Sequence, residues 1–186
     1  MKTFIDYIKQ YVELSEAAEQ DITQVALLEE VPKGHTLLKE GKTCKRTYFL
    51  SKGTIRIFFY QKGKDVTHWI YPDNMLFTSW SSYLLKKPAT EYCETIEAAT
   101  LISLTYDQWQ SLYIKHPELE RFGRLIVEEQ MAMIDDFYKG YYFLTAKEKY
   151  NLLIEAFPSI IQRANLGYIA SMLGISQETL SRIRGK

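Results

Sequence analysis

Apolar residues recur along this chain first at helical spacing, then at strand spacing, then at helical spacing again. Near the start, Phe4, Ile5, Ile8 and Val12 fall on one stripe and Ile22, Val25, Ala26 and Leu28 on another. That spacing predicts amphipathic helices over residues 3–30. Pro32 closes the region. From about residue 33 to 105 the runs "HTLL", "RTYFL", "TIRIFFY" and "VTHWIY" are rich in β-branched and aromatic residues. Turn signals separate them at Pro32-Lys33-Gly34, Gly41-Lys42, Lys52-Gly53, Lys62-Gly63-Lys64-Asp65 and Pro72-Asp73-Asn74. Regularly spaced short strands predict an antiparallel sandwich or barrel, closed by "ETIEAATLISLTY". Residues 75–87, "MLFTSWSSYLLKK", carry few turn residues and predict a short helix between strands.

The helical period returns at Pro117, a residue suited to a first helical turn. Leu119, Phe122, Leu125 or Ile126, Met133 and Phe137 follow at spacings of three and four. A helix of about 20 residues would span ~30 Å. Its apolar residues, Met131 and Ile134 included, cover more than one face. One face suits the chain's own strands; the other suits the same helix of a second copy. Burial within one subunit is the alternative. Gly140 interrupts the pattern and is expected to act as a hinge, with Thr145 capping the next helix, "AKEKYNLLIEAF".

The last 22 residues read "NLGYIASMLGISQETLSRIRGK". Asn165 is a good N-cap for a helix with Ile169, Ala170 and Leu173 on one face. Gly174 supplies the left-handed turn residue, Ile175 follows it, and Ser176 caps a second helix with Leu180 and Ile183 facing inward. Two helices crossing through so tight a turn need a small residue where they approach, which Ala170 provides. This spacing predicts a helix-turn-helix. The outer face of its second helix carries Gln177, Glu178, Ser181 and Arg182, side chains that can read base edges in a major groove. Asn165, Ser176, Arg184 and Lys186 are candidates for phosphate contact.

Charge adds a weak hint in the same direction. The chain has 23 basic and 23 acidic residues, yet seven bases face three acids from Lys139 onward. No stretch approaches the ~20 apolar residues of a membrane span. The amphipathic, acid-bearing N-terminus is unlike a signal peptide, so a cytoplasmic location is expected. Cys44 and Cys93 are too few for a cysteine-only zinc site or a four-thiolate cluster, and are expected to be reduced, half-buried thiols. His35, His68 and His116 read as surface or edge histidines, with no second haem ligand in view. No Ser/His/Asp set, metal spacing or glycine-rich phosphate loop suggests an enzyme.

The stretches "VPKGHTLLKEGKTCKRTYFLSKGTIRIFFYQKGKDVTHWIYPDNML" and "IASMLGISQETLSRIRGK" resemble the family of the catabolite activator protein and the fumarate–nitrate regulator (Crp/Fnr). The resemblance spans nearly the whole chain and implies an α+β architecture. A double-stranded antiparallel, cyclic-nucleotide-binding-like β-roll would occupy residues 1–116 with the N-terminal helices. Residues 117–140 would form a dimerisation helix and hinge, and residues 141–186 a helix-turn-helix domain. Leu119, Phe122, Leu125, Ile126, Met133 and Phe137 would then lie on the dimer helix. Glu178, Ser181 and Arg182 look like the fumarate–nitrate branch's Glu-x-x-Ser-Arg reading pattern. The implied function is sequence-specific transcription regulation by a homodimer on a near-palindromic site, with double-stranded DNA and RNA polymerase as partners and no membrane. A protein-interaction module that has kept the fold without specific DNA binding is the alternative.

Departures from the family pattern bear on the effector. Its phosphate cassette runs Phe-Gly-Glu and, further on, Arg with a small residue. Here the first part reads Phe77-Thr78-Ser79 and the second Pro88-Ala89-Thr90-Glu91. A buried anionic phosphate without a cation loses its charge-assisted pairing, so cyclic AMP and cyclic GMP are not expected. Trp69, Tyr71, Phe77, Trp80, Tyr83 and Tyr92 either fill the space a nucleotide would take or line a cavity for a small apolar or aromatic ligand. No cofactor or metal is expected. The family commonly adds a hairpin wing beyond the reading helix; this sequence stops at Lys186, so fewer phosphate contacts and a shallower salt dependence are expected.

Overall fold

The computed structural model describes residues 1–185, and of Phe137, Gly140 and Tyr141 only the helical backbone. Two short helices, α1 (Lys2–Ile8) and α2 (Glu16–Val25), open the chain. Ser15 caps α2 by accepting from the Ala18 N–H. Where sequence periodicity predicted helix to residue 30, Ala26 turns extended and a strand, β1 (Leu27–Val31), begins. The reason is long-range: Leu27 to Val31 pair antiparallel with Ser103 to Ala99. Local spacing cannot register such a partner.

Seven further strands complete two four-stranded antiparallel sheets. They are β2 (Thr36–Leu38), β3 (Arg46–Lys52), β4 (Ile55–Gln61), β5 (Lys64–Tyr71), β6 (Met75–Phe77), β7 (Tyr92–Thr95) and β8 (Ala99–Thr105). The orders are β1-β8-β3-β6 and β2-β7-β4-β5, the arrangement of a jelly roll. The 75–87 stretch divides between β6 and the short helix α3 (Trp80–Leu85). Gly53, at φ +119°, makes the sharp turn into β4; a Cβ there would lie 2.6 Å from the Ala99 Cβ. Its N–H is held by the Asp73 carboxylate at 2.6 Å.

Helices α4 (Tyr106–Lys115) and α5 (Pro117–Phe143) follow the roll, and α6 (Ala146–Ala156), α7 (Ile160–Arg163), α8 (Leu166–Leu173) and α9 (Gln177–Arg184) end the chain. Capping boxes fix the starts of α4, at Thr105 and Gln108, and of α6, at Thr145 and Glu148. The helix α5 runs 27 residues, through Gly140 to Phe143. The break therefore falls at Leu144 and Thr145, where the α6 cap sets a new helix direction. One mid-helix glycine costs only about 1 kcal/mol, too little to stop a helix this long.

Three apolar clusters stack the molecule into layers. The first lies outside the β1-β8-β3-β6 sheet, where Phe49, Ile102 and Leu104 meet Phe4, Ile8 and Ile22 from the N-terminal helices and Trp109, Leu119, Phe122 and Ile126 from α4 and α5. The second fills the roll with Leu50, Ile55, Ile57, Tyr71, Phe77 and Leu101. The third lies outside the other sheet, joining Ile70 and Ile96 to Leu153, Ile160, Ile169, Met172 and Leu180. The second sheet is thus covered on both faces, which is why Ile55, Arg56, Ile57 and Phe58 of β4 are all buried.

His116 is a correction to the sequence expectation. It is buried, not at the surface, and its Nε2 lies 2.6 Å from the Asp21 carboxylate. Lys115 meets the same oxygen at 2.5 Å, tying α2 to the α4–α5 corner. Hydrogen bonds from Lys115 and then His116 hold the Asp21 carboxyl below its usual range. A depressed carboxylate contributes stability above the unfolded-state pKa, and that contribution is lost as pH falls through the folded value. The wild-type advantage over Asp21→Asn in urea midpoint should be present at neutral pH and vanish in acid. Both thiols are more deeply buried than expected, and burial pushes the Cys93 pKa well up.

Candidate nucleic-acid interface and effector cavity

The helix-turn-helix is built from the residues that predicted it. The Asn165 Oδ1 accepts from the Tyr168 N–H at 2.8 Å, capping α8. Gly174 ends that helix at φ 67° and ψ 32°, and the Ser176 hydroxyl caps α9 by accepting from the Thr179 N–H at 3.1 Å. Ile169, Ala170, Leu173 and Leu180 are buried between the helices; Ile175 and Ile183 are half-buried. With that side anchored, Gln177, Glu178, Ser181 and Arg182 all face outward and exposed. The Glu178 carboxyl is held below its usual range by its own backbone N–H at the start of α9, then by the Ser176 hydroxyl and the Arg182 charge. It is therefore an acceptor at neutral pH. Arg182 lies along its own helix, Nε to the Glu178 carbonyl at 3.4 Å, with its guanidinium in solvent.

Of the phosphate candidates, Asn165, Ser176 and Arg184 are exposed, and the first two spend their side chains on capping. Lys186 lies outside the described residues.

Two arginines that sequence reasoning missed hold this domain to the roll. Arg56, only 2% exposed, forks onto Asp65 at 2.8 and 2.7 Å and meets Glu94 at 3.0 Å. Its guanidinium lies 3.9 Å from the Phe58 ring centre on β4 and 3.8 Å from that of Tyr168 on α8. Arg163 reaches back to Asp73 at 2.7 and 2.9 Å and to Glu97 at 2.8 Å, one carboxylate at each of two roll turns. The Thr67 N–H donates to the Ser171 hydroxyl at 2.9 Å. For Arg56 the sequence signal was a charge inside an apolar strand, "TIRIFFY"; Arg163 carried no such local mark.

The expected dimer positions divide. Leu119, Phe122 and Ile126 belong to the chain's own core, and Leu125 is half-buried against it. Met133 faces cavities beside the roll, and the Phe137 side chain lies outside the described residues. A different set is free: Val127, Met131, Ile134 and Tyr138, 41%, 67%, 58% and 62% exposed. Their steps of four, three and four form a continuous apolar seam. Periodicity revealed two stripes but not which of them the roll would take.

The six aromatic candidates also divide. Phe77 is core, stacked on Tyr48 at 5.3 Å. Tyr83 packs on Tyr106. Tyr92 sits on the outer side of its sheet, stacked on Phe58 at 5.1 Å. Trp69, Tyr71 and Trp80 line a cavity of about 330 Å3 between the roll and Gln130, Met133 and Ile134 of α5. Among the described residues no lysine or arginine lines it; its charged side chain is Glu91, 3.5 Å from His68.

Residues 28–116 match the model of the cyclic nucleotide-binding domain family. Across the whole chain, FixK2 from Bradyrhizobium japonicum superposes with a TM-score of 0.72 at 13% identity, covering 87% of this chain and 83% of its own. The fold is that of Crp/Fnr-type regulators, with a cyclic-nucleotide-binding-like roll. A chain from Eubacterium rectale assigned to the crp/fnr family gives 0.68 at 15% identity, covering 91% and 82%. The catabolite activator protein of Thermus thermophilus gives 0.58 at 17%, covering 92% and 83%. At such identities the likeness is one of fold. The search of curated proteins returned no match. Within this architecture the roll, a long α5 and the terminal helices match the expected fold class, α5 running beyond the expected break at Gly140, and no described helix is long and apolar enough to cross a membrane.

Proposed function

We propose that the protein is a homodimeric, sequence-specific DNA-binding transcription regulator acting on a near-palindromic site. The observation that carries this is the free face of α9: Gln177, Glu178, Ser181 and Arg182 exposed on a helix whose other side is locked by buried Leu180. These side chains offer donors and ionised acceptors suited to base edges. The α5 seam supports the dimer. A twofold axis along it presents two reading helices to successive major grooves ~34 Å apart. RNA polymerase is the expected partner of the DNA-bound dimer. The cavity beside α5 is the effector site in this reading, and the lack of a lysine or arginine among its described lining residues disfavours cyclic AMP.

Selection of genomic fragments on the purified protein tests the assignment. Enrichment of a sequence with two symmetric halves supports it; a pool that stays random overturns it. The seam makes a separate prediction. Met131→Glu combined with Ile134→Glu should convert the dimer to folded monomer in sedimentation, because two buried charges would face their own copies across the axis. Circular dichroism should stay unchanged, since neither residue is in the core.

A further inference from the structure

The cavity between the roll and α5 is lined by a carboxylate, the opposite charge from the group that would hold a phosphate. Glu91 enters its wall with a side chain 15% exposed, and His68, 60% exposed, lines the same cavity 3.5 Å away. The Ser79 hydroxyl is near the carboxylate without closing a hydrogen bond to it, and is buried. Burial pushes the Glu91 pKa up, but His68 and Ser79 outweigh it, and the carboxyl titrates below its usual range. At neutral pH the Glu91 side chain is thus an ionised carboxylate in the wall, with the His68 imidazole as its neighbour. The nearby lysines do not cancel it: Lys86 lies over the Tyr106 ring at 4.4 Å, outside the cavity, and Lys87 is exposed. The remaining walls are aromatic, from Trp69, Tyr71 and Trp80. A carboxylate among aromatic rings attracts cations twice over, by direct charge and by the ring quadrupoles.

We propose that this cavity binds a small organic cation, an aromatic or alkyl ammonium, with Glu91 as its counter-ion. The volume of about 330 Å3 sits at the small end of ligand sites and excludes larger ligands. An occupant touches the roll on one side and Met133 and Ile134 on the other, and Ile134 also belongs to the free seam. Binding is therefore sensed by the helix that places the reading heads. The proposal rests on the roll being an effector domain, as assigned above.

Calorimetric titration of the full chain, without DNA, tests it with three probes of similar size: phenethylammonium, phenethyl alcohol and phenylacetate. The ammonium should bind saturably and at least about tenfold tighter than the alcohol, and phenylacetate should not bind. Glu91→Gln should erase the preference for ammonium while leaving the alcohol's affinity unchanged. Equal or tighter binding of phenylacetate or cyclic AMP overturns the proposal. So does a preference that survives Glu91→Gln, or no saturable binding of the ammonium. The wild-type ratio of ammonium to phenylacetate stands even where the variant fails to fold. With DNA absent, this result and that of the fragment selection are read independently.

Discussion

Replacing Arg182 with alanine is expected to abolish most sequence-specific DNA binding while leaving the protein folded and dimeric. A well-placed bidentate contact to a base discriminates by ~1–3 kcal/mol, so two half-sites lose about 2–6 kcal/mol together. Fluorescence anisotropy on the selected sequence should show a drop of at least about thirtyfold. Binding to random DNA should fall far less, because that term belongs to phosphate contacts. The fold should not notice, since Arg182 is exposed and its contacts among the described residues are with Glu178 on its own helix. If specific and random binding fall equally, Arg182 is a phosphate contact and not a reader. If neither changes, the protein-interaction reading gains.

Arg56→Ala is expected to cost roughly 2–4 kcal/mol of folding stability, read as a shift in urea midpoint. The guanidinium serves the roll through Asp65 and Glu94, and the terminal helices through the Tyr168 ring. Removing it leaves two carboxylates unneutralised and a gap between two rings. The side chains of Asp65 and Glu94 are 40% and 22% exposed, so water rescues part of the loss and the cost stays below that of a fully enclosed pair. Arg56→Lys should recover less than half of it, because lysine cannot fork onto Asp65 while lying flat between two rings. Limited proteolysis supplies a second readout. Cleavage around Leu144 and Thr145 should accelerate in Arg56→Ala, as the terminal helices lose their hold on the roll. Unchanged stability and cleavage would show that the contact contributes nothing to docking.

The strand runs and the terminal helices were legible because their signals are local. Capping residues, a left-handed glycine and alternation of apolar positions act within a few residues of themselves. Asn165, Gly174 and Ser176 do in the structure what their types do in any chain. The β1 strand was not legible, since Leu27 to Val31 become a strand only by pairing with residues more than 60 positions away. The expected dimer positions were half legible. The pattern on α5 showed apolar residues on more than one face, but a helix carries no mark saying which stripe its own chain will bury.

The sequence by itself determined most of the strands, the terminal helix-turn-helix pattern and the identity of the residues on its outer face. It also shows Ser79 in place of the cassette's glutamate and no arginine near Ala89, which is the basis for not expecting a cyclic nucleotide. Only the tertiary structure decided that Arg56 is buried, that Arg163 reaches across to Asp73 and Glu97, and that Trp69, Tyr71 and Trp80 line a cavity while Phe77 fills the core. The physical reason is the same in each case. Alternation along a strand sorts side chains onto two faces, but what covers each face, and what charge lies opposite, is settled by segments far away in the chain.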